Sequence, residues 1–288
     1  MMNTATRSPA VGAALWMFGA MFCFLAMAIS GRELAAFINT FQVLFFRSCI
    51  GVLVVGVLIY RAGGASVRTR APGVHLLRNV IHFAGQYGWF YGLALIPLTE
   101  VFALEFTMPI WTALLAPFVL GERMTWARAM VVIIGFVGTL VVLRPGLAIV
   151  HPAALAVLAS ALSYALAHMM TKRLSGTDSP LTILFYMTLI QLPLGLVMSL
   201  PGWTWPPAAA WPWIVVVGIT ALAAHYCMTR AFQLADATVV VPMDFMRLPL
   251  ISALGYFVYD EVVSPWVALG ALILCAGAWL NIKAASTK

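Results

Sequence analysis

The sequence predicts an all-α integral membrane protein: ten transmembrane helices arranged as two inverted five-helix repeats. Three observations predict it. Hydrophobic residues make up 63% of the chain and charged residues 9%, with a mean hydropathy of +1.00, more apolar surface than a water-soluble globule of this length hides. The apolar residues fall into ten runs of roughly the 17 to 25 residues that a helix needs to cross the hydrocarbon. The stretch LIPLTEVFALEFTMPIWTALLAPFVLGER at 95–123 also returns at 234–261 as LADATVVVPMDFMRLPLISALGYFVYDE.

In order, the first run covers 11–30. It follows Arg7 and ends near Ala26-Met27-Ala28, as a cleaved signal would, but its length is that of a span and the run at 153–170 echoes it, so it reads as a retained helix. Nine more runs follow at 38–60, 75–95, 98–119, 126–143, 152–171, 180–200, 211–231, 237–259 and 265–282. Turn formers such as Ala62-Gly63-Gly64, Arg144-Pro145-Gly146 and Gly176-Thr177-Asp178 separate them.

Sorting the loops alternately puts Arg7, Arg61, Arg68, Arg70, Arg78, Arg123, Arg128, Lys172, Arg173, Arg230, Lys283 and Lys288 on one side. The other side receives Arg32 and Arg144. This bias places both termini in the cytoplasm of a multi-pass membrane protein. The net charge of +7 therefore reads as a topology signal; without a clustered stripe or aromatic interleaving it does not read as a nucleic-acid footprint.

Laying Glu122 on Glu261 gives a shift of 139 residues (261 − 122), which also lays Leu95 on Leu234, Thr99 on Thr238, Glu105 on Asp244 and Gly138 on Gly277. A unit of five spans is odd, so the second unit, 151–283, enters the membrane from the side opposite to the first, 10–144. Inverted halves are a common construction of secondary transporters, with the substrate site near the midplane between them.

Two such halves, each with an apolar helix carrying internal proline and then Glu (Pro109 to Glu122, Pro249 to Glu261), resemble the drug/metabolite transporter superfamily and, within it, the EamA-type ten-helix transporters. The resemblance covers about 10–282 and rests on architecture and the repeated segments. It implies a small-solute carrier of the inner membrane without ATP hydrolysis, moving amino acids, nucleosides, other metabolites or drugs. No Walker-type loop is present in the sequence.

Charges inside apolar spans cost about 3 kcal/mol or more and line polar interiors when kept. At 1.5 Å per residue Glu105 lies about 10 Å below the outer end of the fourth span and Asp244 about 12 Å above the inner end of the ninth, depths that inverted symmetry makes equivalent. They are expected to line one cavity, binding an amine of the substrate or a competing proton; the alternative is a buried salt bridge that locks helices together. Arg247, three residues after Asp244, can pair with it. Arg47 lies near the depth of Glu105 and is expected to pair with it, or with Arg247 to offer a fork to a carboxylate or phosphate. The four charges argue for a zwitterionic or anionic cargo over a simple multidrug assignment.

Asn79, His82, Gln86 and Trp89 form a polar stripe along one face of the third span, and Gln86-Tyr87 fall on His225-Tyr226 under the same shift. These are expected in the cavity wall, while Asn79 could instead be an interfacial contact. Ser160, Tyr164 and His168 share a face of the sixth span, with Tyr164 assigned to the site and His168 to helix packing. The histidines show no metal-ligand spacing, and no cofactor is expected. Trp203, Trp205, Trp211 and Trp213 read as interface anchors. Pro109, Pro242 and Pro249 read as hinges or static kinks. Gly135, Gly138, Gly270 and Gly277 allow close approach of the fifth and tenth helices, or a homodimer. Cys23, Cys49, Cys227 and Cys275 read as core residues without a disulfide framework.

The function this points to is secondary active transport of a small polar metabolite, an amino acid or related zwitterion or anion, by alternating access, in the export direction and coupled to protons. The partners are that substrate, the proton and the lipid bilayer. Uptake or exchange of a vitamin or nucleotide-like compound is the alternative within transport. A membrane-embedded lipid-modifying enzyme is the alternative outside it, but the sequence offers no nucleophile with a base and no metal triad.

Overall fold

The computed structural model describes residues 9–63, 67–121, 126–143, 150–235, 240, 243–244 and 247–286. Among these, the regular elements are α1 (Pro9–Leu34), α2 (Thr40–Arg61), α3 (Pro72–Leu95), α4 (Leu98–Glu105), α5 (Met108–Val119), α6 (Trp126–Leu143), α7 (Pro152–Leu174), α8 (Pro180–Ser199), α9 (Trp211–Leu234), α10 (Arg247–Tyr259) and α11 (Pro265–Ser286), with one 3₁₀ turn at Ala208–Ala210. Pro242, Glu122 and Thr238 lie outside the described residues.

Six stretches are long and apolar enough to cross a membrane, and three more apolar helices are shorter. The remaining span, α3, is 24 residues long but interrupted by its polar stripe, which is turned inward. The fold is the expected ten-helix, two-repeat one, and among the described residues the fourth span is broken into α4 and α5. Pro109 is the cause. It lacks the amide hydrogen that would bond back to the carbonyl of Glu105 and its ring crowds that carbonyl, so α4 stops at Glu105 and Pro109 falls in the first turn of α5.

The repeat holds in helix ends. Pro72 and Trp211, and Leu95 and Leu234, are equivalent boundaries, each pair 139 apart. Local chemistry repeats as well. The Asn39 side chain accepts the amide of Gln42 at 3.0 Å and the Gln42 side chain accepts the amide of Asn39, a capping box on α2. One repeat later Ser179 accepts the amide of Thr182 at 3.1 Å on α8.

Contacts between the halves are reciprocal. α1 packs on α9 and α3 on α7, while α2 meets α8 and α6 meets α11; first helix meets third, second meets second and fifth meets fifth, as a two-fold relation requires. The turn at 35–39 sits beside the α3–α4 connection, where Arg32 Nη2 donates to the Ile96 carbonyl at 2.7 Å. Its equivalent at 175–179 sits at the other end of the bundle, where Asp178 meets His75 in the first turn of α3. The halves are therefore inverted.

The expected close approach of the fifth and tenth spans is present within the chain. A Cβ on Gly138 would stand 3.0 Å from the Gly270 carbonyl oxygen and one on Gly270 would stand 2.7 Å from that of Gly138, so α6 and α11 touch backbone to backbone. Gly138→Val should destabilise the protein by about 1–3 kcal/mol through overpacking. Gly56→Ala, on a helix position with nothing within 4 Å of the added carbon, should be neutral or stabilising by up to about 1 kcal/mol. Thermal unfolding of the two variants in detergent checks both signs.

Candidate functional site

The break after Glu105 and the start of α10 at Arg247 bring two helix ends together at the centre of the bundle. Helix ends carry unsatisfied backbone groups, and in hydrocarbon such groups must be enclosed by polar protein. Here the enclosure is ionic. Arg247 Nη2 donates to Glu105 Oε1 at 2.9 Å and also to Asp244 Oδ2. Trp89 Nε1 donates to the other Glu105 oxygen at 2.7 Å. The guanidinium of Arg247 lies 4.7, 4.8 and 5.8 Å from the rings of Phe24, Phe102 and Phe106, whose π faces supply attraction where water is absent.

Phe24, Trp89, Glu105, Asp244 and Arg247 line one cavity together with Met27, Arg47, His82, Gln86, Tyr164, His168 and His225. Both halves contribute. The free space is close to that of one water molecule, so any cargo requires the helices to part. Arg47, on α2, donates to Gln191 Oε1 on α8 at 2.7 Å, and Gln191 Nε2 lies 3.0 Å from His82 Nδ1. The His82 ring stands edge-on to His225 at 4.8 Å, and Tyr164 stacks on His168 at 6.1 Å. Arg47 Nη1, Gln86 Oε1, His168 Nδ1, His225 Nδ1 and Asp244 Oδ1 are all buried without a hydrogen-bond partner. Orphaned polar atoms are rare in proteins, and these surround one small space.

Several expectations change. Arg47 does not pair with Glu105; equal depth places two residues in one plane but not on facing sides, and Arg47 faces α8. Tyr226 is not in the cavity. It is 39% exposed and packs edge-on against Trp16, because consecutive helix residues point about 100° apart and His225 takes the inward direction. His168 lines the cavity and does not serve helix packing alone. Asn79 lies below the wall, donating to the His75 carbonyl at 2.8 Å. Arg78, sorted with the loop charges, is buried in α3 and bonds Thr171 Oγ1 at 3.1 Å and Asn79 Oδ1 at 2.6 Å. Glu105, Asp244, Arg247, His82, Gln86, Trp89, Tyr164 and His225 stand where the sequence puts them, around the cavity. Gln191 was not foreseen; its signal was a lone amide in an otherwise apolar span. Pro249 falls in the first turn of α10.

Polar contacts tie the two halves together at both ends. At the end holding the α1–α2 turn, Arg32 pairs with Glu261 at 2.9 Å, the Leu98 amide donates to Glu261 Oε2 at 2.7 Å, and Tyr259 donates to Glu33 at 2.8 Å. Trp203 packs on Phe45 and Phe46 at this end, while Trp205 is 79% exposed. At the opposite end His75 bonds Asp178 at 2.7 Å beneath the stacked ring of Tyr186, and Lys172 Nζ donates to the carbonyls of Phe232 and Ala235 at 2.8 Å. Burial by itself raises the Asp178 carboxyl, but hydrogen bonds from His75, Thr69 and Thr177 and the charge of His75 outweigh it and hold the group below its ordinary 3.8.

Removing Arg247 leaves two carboxylates in a buried site without their cation. Arg247→Met should cost about 3–5 kcal/mol, and adding Glu105→Gln and Asp244→Asn should return most of it; unfolding in detergent reads both. At Asp178 the depressed carboxyl contributes stability that is present above its ordinary value and lost as pH falls through the lower folded one. Asp178→Asn should therefore flatten the acid limb of a stability-against-pH curve below about pH 4 and leave the neutral limb's shape unchanged.

A family model described as the EamA-like transporter family matches residues 11–144 and again 151–283. The chain is 28% identical over 246 residues to the S-adenosylmethionine uptake transporter of Rickettsia prowazekii (strain Madrid E), covering 85% of this chain and 84% of that protein. It is 31% identical over 278 residues to the riboflavin transporter of Rhizobium johnstonii, covering 95% of this chain and 92% of that protein. A pseudopaline exporter of Pseudomonas aeruginosa is 25% identical over 257 residues, with 88% and 90% covered. With its ten spans, two inverted halves and one polar cavity between them, the chain belongs to the EamA-like transporter family and is a multi-pass membrane carrier of small molecules.

Proposed function

We propose that the protein is a secondary active carrier of the inner membrane, with both termini in the cytoplasm, that alternates access to the central cavity for a zwitterionic or anionic, amino-acid-bearing metabolite. The observation that carries this reading is the separation of charge in one buried space. Glu105 and Asp244 share Arg247, two negative charges against one positive, which leaves a negative pole suited to an ammonium or sulfonium. Arg47 has no carboxylate partner among the described residues and presents a free guanidinium edge suited to a carboxylate. A cargo with both groups satisfies both poles.

Protons enter as competitors for the negative pole. Protonating Glu105 or Asp244 weakens its hold on Arg247 and on a cationic group of the cargo, which lets the helices part. The bundle end with Arg61, Arg68, Arg70, Lys172 and Arg173 faces the cytoplasm on this reading, in keeping with the positive-inside bias. The sequence favours export; the relatives' names include both uptake and export, so the sign of flux is read by experiment.

A second reading keeps the mechanism and enlarges the cargo. Tyr164, His168, His82 and His225 bring aromatic faces and unpaired ring nitrogens to one wall, a surface on which a nucleobase or flavin-type heterocycle can stack and hydrogen-bond. The Rickettsia and Rhizobium relatives, named for S-adenosylmethionine and riboflavin, support it.

The test is flux of labelled amino acids, S-adenosylmethionine and riboflavin in proteoliposomes, with the pH gradient set in each direction. Movement of a carboxylate-bearing solute is expected to follow the gradient, to fall about 10- to 100-fold in Arg47→Ala as a charge-assisted contact is lost, and to lose pH dependence in Glu105→Gln or Asp244→Asn. Flux that all three variants leave unchanged would sink the two-pole site.

A further inference from the structure

The cavity's positive pole is held by an amide, and hydrogen-bond logic fixes which way round that amide sits. Gln191 is fully enclosed on α8. Its Oε1 lies 2.7 Å from Arg47 Nη2, and a guanidinium only donates, so the oxygen must face Arg47. The Gln191 NH₂ group then points the other way, to His82 Nδ1 at 3.0 Å and the Asn79 carbonyl at 3.4 Å. An NH₂ group only donates as well, so Nδ1 of His82 accepts and carries no proton. The proton of neutral His82 therefore sits on Nε2, which lies 3.4 Å from Gln86 Nε2, so the Gln86 amide must turn over to meet it. A ring N–H there calls for an oxygen, and the Gln86 oxygen is the one otherwise without a partner. The chain of donors runs Arg47, Gln191, His82, Gln86 across α2, α8 and α3.

We propose that Gln191 is the positioning residue of the site: it pins His82 as the Nε2–H tautomer and makes protonation of His82 and the seating of Arg47 mutually exclusive. A second proton on His82 turns Nδ1 into a donor facing the Gln191 NH₂ group. The amide relieves this by turning over, which gives His82 the oxygen and sets the NH₂ group against the Arg47 guanidinium, donor against donor. Arg47 leaves its seat, and its second edge, already unpartnered, is joined by the first. Protonation thus releases the cation that holds a carboxylate. The groups facing His82 are Arg47 on α2, Arg78 on its own helix, Tyr164 and His168 on α7 and His225 on α9; Glu105, Asp244 and Arg247 share the cavity, and α8 contributes Gln191 alone.

The consequence for transport rests on the central cavity being the carrier's site, but the tautomer does not, and the test reads the tautomer directly. The full chain in lipid bilayers, with ¹⁵N-labelled histidine, gives separate signals for bare and protonated ring nitrogens, and His82 is assigned by difference against His82→Gln. At alkaline pH the expected signals are a bare Nδ1 and a protonated Nε2. The reverse pattern overturns the proposal. Arg47→Met unpins the amide and is expected to give a mixture of both tautomers, an effect that loss of a nearby charge by itself would not produce; an unchanged single tautomer overturns the coupling. In Gln191→Glu a carboxylate accepts from Arg47 and from His82 at once, so the His82 titration midpoint should rise by about one pH unit or more, and an unmoved midpoint again counts against it. If the Glu variant does not fold, Gln191→Met, similar in length and without donor or acceptor, is expected to abolish the tautomer preference. Failure of the flux assay with these signals intact would remove the transport reading and leave the hydrogen-bond switch standing.

Discussion

Arg247 is the contact on which the rest of the site depends. It is the first residue of α10 and it holds the last residue of α4, so a single side chain fastens the central helix ends of the two halves to each other. In a bilayer core the alternatives are poor: an unpartnered carboxylate costs several kcal/mol, and an interrupted helix exposes carbonyls that lipid cannot satisfy. The break that Pro109 imposes and the cluster of Glu105, Asp244 and Arg247 therefore belong together. Three phenylalanine rings from α1, α4 and the turn that follows it close around the guanidinium, so the ion cluster is also the point at which α1 is tied to the centre.

How much of this the sequence disclosed follows from what periodicity and register can carry. The 139-residue shift was legible because paired acids in apolar runs are too costly to recur by chance, and the helix ends Leu95 and Leu234 keep that register to the residue. The stripe His82, Gln86 and Trp89 was legible because spacing on one helix fixes direction. Direction between helices is another matter. Arg47 and Glu105 share a depth, but no sequence pattern states the angle at which two spans face each other, and Arg47 turned to Gln191. Tyr226 inherited its expectation from a neighbour one position away, a displacement that moves a side chain a quarter turn or more around the helix. Arg78 was read by its nearness to a loop, although it continues the polar face that runs from His75 through Asn79 to His82.

The two ends carry the repeat further and show where it is broken. Arg32 and Lys172 are equivalent at a shift of 140, and Ile96 and Ala235, whose carbonyls they hold, at a shift of 139. Gly121 and Asp260, again 139 apart, both adopt positive φ, +68° and +52°; glycine takes that conformation without strain, whereas aspartate pays for it. The same device therefore stands at both ends of the bundle. Its chemistry differs between them. At one end the cation is a planar guanidinium and at the other a lysine ammonium, a compact charge without that fork, and each holds the equivalent carbonyl. The two ends differ by one Arg for Lys and one Asp for Gly at positions that the fold otherwise treats as the same.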